Sequence, residues 1–338
     1  MFESDVTFVI GAGASFEAGF PLGQELANDI RNSVSFKFDY GRLVGGNPEI
    51  ANAIRFLADT TKSTSYWDKC AEISRRLEYC LSIDEFIHRF QHDTDLAIIS
   101  KIAIAQRIID AEQQSPMLQR SERHPPKFQP LTDTWYFQFF RMISRGRSKS
   151  DIGNIFDNIN IICFNYDRCI ELYLLNALIE AYGITTNVAS GLINSLNIIH
   201  PYGTLGTLPE LGGRGISFGA EYCDLGAVSR EIKTYSEALR DDDLELRIKN
   251  AIYRSGSIVF LGFSFGNDNI KLLSPTSDGL LSGKNIFGTC YKMPEPALSV
   301  IERSIMNNFY LNSNSSFHIK PMTCASYLNE YNDVIPYE

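Results

Sequence analysis

Three polar residues, Asn165, Asp167 and His200, follow apolar segments and are of types that could cleave a glycosidic bond. Asn165 and Asp167 flank Tyr166, and alternate residues of an extended chain point to the same side. An amide and a carboxylate placed in this way could grip vicinal ribose hydroxyls, and the amide could orient a water at the anomeric carbon. His200 could deprotonate that water or a ribose hydroxyl near neutral pH. These residue types could therefore carry out glycosidic chemistry, with Asn165 and His200 as the catalytic pair.

Each of these residues also has a purely structural interpretation. Asn165 and Asp167 could cap a helix that begins near Arg168, as Asn and Asp commonly do. His200 could be a satisfied histidine in the turn over residues 201–203. The context of further motifs along the chain favours a functional role for Asn165 and His200, whereas Asp167 stays open between the two roles.

A glycine turn near the start of the chain predicts a phosphate-binding site. The turn consists of Gly11, Ala12 and Gly13. It follows a β-branched and aromatic run over residues 6–10, typical of a strand, and precedes a helix start. Glycines let the backbone approach a pyrophosphate, and a helix N-terminus offers free N–H groups. Phe16 occupies the third small position of the common dinucleotide pattern, so the turn departs from that pattern. Ser15 could bind a phosphate or cap the following helix.

From residue 155 onward, segments typical of strands alternate with segments typical of helices. The predicted strands lie near residues 157–164, 196–200, 257–261, 285–291 and 316–320. The predicted helices lie near residues 168–181, 228–254, 267–274 and 295–308. This alternation predicts an α/β protein with a doubly wound parallel sheet, whose ligand crevice runs along the carboxyl ends of the strands.

The segment between the first helix and the second strand of this sheet has helical patterns. A helix is predicted over residues 23–31, a mobile loop over residues 32–48, and helices over much of residues 49–146. The sequence therefore predicts a Rossmann-like domain made of residues 1–31 and 155–338, with a large all-helical insert over residues 32–154.

Four ordered segments together resemble the sirtuin (SIR2) family. The string G-A-G-A-S-x-x-A-G-x-P over residues 11–21 is similar to the family's loop that closes over NAD. Residues 161–167 resemble its T-Q-N-I-D segment, and residues 196–203 resemble the element with its catalytic histidine. Residues 258–268 resemble the strand and G-x-S loop that holds the adenosine end. The resemblance implies a Rossmann-like sheet of the sirtuin type, with NAD as substrate.

The resemblance implies a role for each matched position. It assigns Asn165 and His200 to catalysis. The positions expected to bind NAD are Gly11, Ala12, Gly13, Ser15, Asp167, Tyr202, Gly262 and Ser264. Tyr202 would line the nicotinamide side, and Ser264 would bind the adenine ribose or merely stabilise its own turn.

The chain departs from the protein-deacylating sirtuins in two respects. Residues 22–24 are Leu-Gly-Gln where those proteins have Asp-Phe-Arg, and none of the seven cysteines are spaced as Cys-x-x-Cys. Such pairs build a structural zinc site, so we expect no metal here. What remains resembles the bacterial SIR2-like NAD hydrolases of anti-phage defence. That branch implies cleavage of the nicotinamide–ribose bond to give nicotinamide and ADP-ribose or a cyclic form.

Charge and hydropathy bear on partners and location. The net charge of −9 lacks the basic surface of an autonomous nucleic-acid binder. No apolar run is long enough to span a bilayer, and no signal-peptide pattern precedes the first strand. We expect a cytoplasmic protein that binds neither nucleic acid nor membrane. An NAD hydrolase without regulation would deplete the NAD of its own cell, so we expect the activity to be gated. The gate would be a homo-oligomer or a second protein, such as the HerA-type ATPase that the resemblance implies.

Three other functions stay open. An NAD-dependent protein deacylase would use the same histidine, but the missing cysteine pairs count against it. A module that senses NAD or ADP-ribose without turnover would have less need of Asn165 and His200. A Rossmann oxidoreductase fits least, because the third glycine is displaced. Release of nicotinamide without an acetyl-lysine peptide distinguishes the hydrolase from all three.

Overall fold

A computed structural model describes residue 2 and residues 4–118, 128–275 and 283–335. Within these residues the strands are β1 (Val6–Ile10), β2 (Lys37–Asp39), β3 (Arg42–Gly45), β4 (Ile159–Cys163), β5 (Asn197–Ile199), β6 (Ser257–Leu261), β7 (Asn285–Thr289) and β8 (Ser316–Lys320). The helices are α1 (Ala12–Ser15), α2 (Gly23–Ser33), α3 (Pro48–Thr61), α4 (Ser65–Arg76), α5 (Ile83–Arg89), α6 (Thr94–Gln114), α7 (Trp135–Ser144), α8 (Cys169–Tyr182), α9 (Thr186–Ser195), α10 (Leu225–Val228), α11 (Tyr235–Ala238), α12 (Asp242–Arg254), α13 (Asn267–Leu273), α14 (Glu295–Asn308) and α15 (Cys324–Tyr331).

Six strands form one parallel sheet in the order β5-β4-β1-β6-β7-β8. The central strand β1 pairs with β4 on one side and with β6 on the other, so that Phe8 lies opposite Ile161 and Val259. Every residue of β1 and of β6 is buried, as expected for strands covered on both faces. The predicted α/β parallel sheet is confirmed. The chain leads from β1 to β4 on one side of the sheet and from β6 to β7 on the other. In open parallel sheets ligands bind between two strands whose connections lead in opposite directions, which here are β1 and β6.

The segment predicted as an all-helical insert is helical in its described part, apart from one hairpin. Strands β2 and β3 pair antiparallel within residues 32–48, so the prediction of a loop there was wrong. Tyr40 and Gly41 both have positive φ, 45° and 79°. This is the two-residue turn that joins hairpin strands, and the glycines that favoured a loop are compatible with it. Side chains of this segment and of the sheet share one hydrophobic core. The division into two domains stays a prediction, and residues 119–127 lie outside the described residues.

The single helix predicted over residues 228–254 is wrong, because the chain forms three shorter helices there. Thr234 and Asp241 each accept a hydrogen bond from the main chain three residues later, at Glu237 and Leu244. These N-capping residues have extended or irregular backbone angles, so each begins a new helix, α11 and α12. No helix within the described ranges is both long and apolar enough to cross a membrane.

Glu17 connects the glycine turn to two distant helices. Its carboxylate accepts the N–H of Trp135 at 2.7 Å and the N–H of Ala325 at 3.0 Å, in the first turns of α7 and α15. The first N–H groups of a helix have no partner within the helix, and a carboxylate stabilises this positive end of the dipole. Burial raises the pKa of Glu17, and these hydrogen bonds oppose that rise. One carboxylate thus holds both helices against the turn.

Replacing Glu17 by alanine is expected to lower the free energy of unfolding by about 2–3 kcal/mol, because two N–H groups lose their acceptor. Urea denaturation at neutral pH measures this change. Glu180→Ala is the control, since Glu180 is exposed on α8. Equal midpoints for the two variants would contradict the role given to Glu17.

Candidate functional site

The glycine turn packs directly against the end of β6. The Gly13 N–H donates to the main-chain oxygen of Gly262 at 2.9 Å. A Cβ added to Gly11 would lie 2.6 Å from that oxygen, and one added to Gly13 would lie 2.9 Å from the Gly262 Cα. Gly262 has a φ of +59°, and a Cβ there would lie 2.0 Å from the nitrogen of Ala14. The close approach of two loops between β1 and β6 therefore requires all three glycines.

Asn165 lies buried beyond the end of β4, and its amide connects that strand to the glycine turn. Its Nδ2 donates to the main-chain oxygen of Gly11 at 2.9 Å and to the Ser15 Oγ at 2.6 Å. The Ser15 hydroxyl in turn donates to the Asp167 Oδ2 at 2.6 Å. This chain of hydrogen bonds brings together the predicted site residues Gly11, Ser15, Asn165 and Asp167.

Asp167 has the structural role that the sequence left open. Its Oδ1 accepts the N–H of Cys169, the first residue of α8, at 3.1 Å. The side chain is buried, and burial raises its pKa while the hydrogen bond from Ser15 opposes the rise. Both carboxylate oxygens are thus engaged within the protein, and the predicted contact with a ribose stays a prediction.

The ring of His200, just after β5, is held between two acceptors. Its Nε2 lies 2.9 Å from the Glu171 Oε1, and its Nδ1 lies 3.3 Å from the main-chain oxygen of Asn165. The side chains of His200 and Glu171 are 13% and 15% exposed. Burial by itself would lower the pKa of His200, but the charge of Glu171, with help from Cys163, raises it well above the usual 6.5. This rise favours the protonated form of the ring.

Glu171 was not found by sequence reasoning. Burial would raise the pKa of its carboxyl group, but the positive charge of His200 outweighs burial and lowers it. Glu171 lies in the first turn of α8, the helix whose first N–H donates to Asp167. An acidic residue so soon after the Asn-x-Asp segment was the signal that could have indicated it.

A cavity of about 240 Å³ adjoins the His200–Glu171 pair. Polar residues that line it are Arg168, Glu171, Asn194, His200, Thr204 and Thr207. At roughly 30 Å³ for each molecule of liquid water, the cavity has room for several waters. The described chain holds no group of three or more His, Cys, Asp or Glu side chains that could bind a metal ion, here or elsewhere.

A buried ion pair holds the loop after β5 against the helical segment. The Arg168 Nη2 lies 2.9 and 2.7 Å from the two carboxylate oxygens of Glu112 on α6, and its Nε lies 3.0 Å from one of them. The same guanidinium donates to the main-chain oxygen of Ile216 at 2.5 Å, and Glu112 accepts the Gly219 N–H at 2.9 Å. The two side chains are 1% and 0% exposed, so each charge depends on the other. Neither residue was predicted as part of the site.

Two of the remaining predicted positions lie in different surroundings. Tyr202 is buried, its hydroxyl donates to the Asn269 Oδ1 at 2.5 Å, and its ring contacts that of Phe164 at a centroid distance of 5.6 Å. Ser264 is exposed beyond β6. The hydroxyl of Tyr202 is therefore used within the protein, whereas that of Ser264 is accessible to a ligand.

A side chain of α5 also connects the helical segment to the site, and sequence reasoning did not predict this contact. The hydroxyl of Tyr166 donates to the carboxylate of Asp84, and burial raises the pKa of Asp84 while this hydrogen bond opposes the rise. The residue between Asn165 and Asp167 is thereby attached to the helical segment.

Comparisons with known proteins find similar chains among solved structures. No family model matches the chain, and no curated protein matches it significantly. Among solved structures, the crystal structure of a Sir2 homolog–NAD complex is similar over 98% of this chain and 90% of that chain, at 14% sequence identity and a TM-score of 0.41.

Proposed function

We propose that the protein hydrolyses the nicotinamide–ribose bond of NAD. The observation that carries the proposal is the meeting of three segments at one edge of the sheet. The side chain of Asn165 binds Gly11 and Ser15, which lie 154 and 150 residues away in the sequence. The main-chain oxygen of the same residue contacts His200. The amide, the histidine and the glycine turn are the groups that the sequence assigned to one reaction.

The reaction needs stabilisation of charge and removal of one proton. The bond between the anomeric carbon and the nicotinamide nitrogen breaks, and its electron pair leaves with neutral nicotinamide. Positive charge develops on the ribose, and a fixed polar site that includes Asn165 stabilises it. An oxygen of water, or of the ribose in the cyclic form, bonds to the anomeric carbon and gives its proton to His200. For water the products are nicotinamide, ADP-ribose and one proton.

The resemblance in sequence also supports a proposal about the biological role of this reaction. We propose that the protein acts in the bacterial cytoplasm and depletes NAD in anti-phage defence. Its activity is then gated, by self-association or by a second protein such as a HerA-type ATPase. The motifs over residues 11–21, 161–167, 196–203 and 258–268 support this extension.

The direct test is incubation of the purified chain with NAD alone, with free nicotinamide measured by chromatography. We expect release by the wild type and a loss of about a hundredfold in kcat for Asn165→Ala, since the variant loses the amide that binds the glycine turn and misplacement of reacting groups by about 1 Å can cost that much. Asn176→Ala is the matched control, because among the described residues the side chain of this asparagine on α8 bonds only to the main-chain oxygen of Leu172. Release that requires an acetyl-lysine peptide would replace the hydrolase with a deacylase.

A further inference from the structure

We propose that Glu171 orients His200 in the hydrolysis proposed above, on which this inference rests. The Glu171 Oε1 lies 2.9 Å from the His200 Nε2. A neutral imidazole carries one N–H and one lone pair, and the stronger of the two acceptors beside the ring, the carboxylate of Glu171, keeps the N–H. With the N–H at Nε2 facing a carboxylate, the lone pair lies on Nδ1. Nδ1 is therefore the nitrogen that takes up the proton.

Nδ1 also lies on the side where the reaction is proposed to occur. Its neighbour is the main-chain oxygen of Asn165, the residue whose amide binds the glycine turn. At 3.3 Å this contact is longer than the usual 2.9–3.0 Å of an N–H···O hydrogen bond. In the neutral ring Nδ1 has no proton to donate to this oxygen, so the hydroxyl group of a ribose or a water can donate to the lone pair of Nδ1 instead.

The second oxygen of Glu171 faces no protein donor. Its Oε2 is buried and has no hydrogen-bond partner among the described residues, and Glu171 lines the 240 Å³ cavity. Water in this cavity can solvate the carboxylate while Oε1 holds the imidazole. When the nucleophile's proton moves to Nδ1, Nε2 keeps its own proton and the ring becomes an imidazolium beside an ionised Glu171. The proton on Nδ1 leaves for solvent after the product departs.

The charges around His200 come from three elements. Glu171 faces it from α8, Cys163 from β4, and Asp167 from the segment between them. Arg168 acts on Glu171 rather than on the ring. Glu171 is the group within hydrogen-bond distance of Nε2. Its replacement by glutamine keeps an acceptor oxygen of the same reach and removes the charge.

The sign of the pH dependence follows from this geometry. His200 accepts a proton only when it is neutral, and its pKa lies well above 6.5. Activity of the wild type should therefore rise with pH and reach its plateau only above that raised pKa. Without the charge of Glu171 the pKa of His200 falls, and the rise should move to lower pH by about one unit or more.

The experiment compares Glu171→Gln, Glu171→Ala and Glu180→Gln as purified full chains. Glu180 is exposed on the same helix and serves as the matched control. We would measure kcat and KM for NAD across pH, and titrate the ring of His200 by NMR. For Glu171→Gln we expect the acid limb and the NMR pKa to move down together, with KM within about twofold and the plateau kcat about tenfold lower. Glu171→Ala should lose about tenfold more, because the ring also loses its orientation.

The outcomes distinguish a failure of this inference from a failure of the proposed hydrolysis. Nicotinamide release by the wild type, with the same acid limb and the same His200 pKa in Glu171→Gln, would overturn the role of Glu171 and leave the hydrolase standing. Where the wild type releases no nicotinamide, the NMR titration decides, because an unchanged His200 pKa in Glu171→Gln would still overturn the role of Glu171. If Glu171→Ala does not fold, the isosteric Glu171→Gln decides alone.

Discussion

Glu112→Ala should destabilise the protein by about 3–5 kcal/mol, because it leaves the guanidinium of Arg168 charged and unpaired in the interior. Arg168 is 1% exposed and makes three contacts of 3.0 Å or less with the carboxylate of Glu112. The Gly219 N–H loses its acceptor in the same variant. Few single substitutions cost as much, and this one acts next to Asp167.

Urea denaturation of three variants measures the effect. The double variant Arg168→Met with Glu112→Leu should be more stable than Glu112→Ala, since it leaves no unpaired charge in the interior. Glu78→Ala is the control for an exposed pair, because the side chain of Glu78, which contacts Arg31, is 65% exposed. It should cost about 0.5 kcal/mol or less. A loss no larger for Glu112→Ala than for Glu78→Ala would show that the buried pair is unimportant to stability.

His200→Ala should lower kcat for nicotinamide release by about 10²–10⁴, the range that a positioned general base contributes. KM for NAD should stay within a few-fold, because the ring acts on the nucleophile's proton. Steady-state kinetics of the variant measure both. His92→Ala is the control, since His92 is exposed and lies between α5 and α6.

Added imidazole distinguishes a base from a merely structural histidine. Removing the ring of His200 enlarges the cavity that it lines, which already measures about 240 Å³. Free imidazole can enter there and accept the proton, so activity should rise with the concentration of the neutral form and hence with pH. A variant that stays folded, binds NAD and shows no rescue at any pH would favour a structural role for His200.

The regular elements of the sheet could be predicted because their signals are local. The predicted helix over residues 295–308 and the predicted strand over residues 316–320 agree with the structure at both ends. Where the signal was misread, a local detail decided the outcome. Positive φ at Tyr40 and Gly41 makes a hairpin of residues that composition alone assigned to a loop.

In the candidate site, too, some contacts could be predicted from the sequence and others could not. The carboxyl ends of parallel strands share one edge, so a link between Asn165 and the glycine turn was within reach of sequence reasoning. The partners Glu112 and Asp84 were not, because α6 and α5 reach the site through packing that no short pattern encodes. Glu171 lay close to the motif, but its contact with His200 depends on how β5 aligns with α8.

The central position of β1 sets the time at which the site can exist. This strand leaves the ribosome before its partners, since β4 and β6 begin roughly 150 and 250 residues later. At about 5–20 residues per second, synthesis of roughly 250 residues takes about 13–50 s. Throughout this interval the glycine turn lacks the end of β6, against which it packs. We expect a chain that ends before β6 to lack the site, so the topology delays the proposed activity until translation has passed β6.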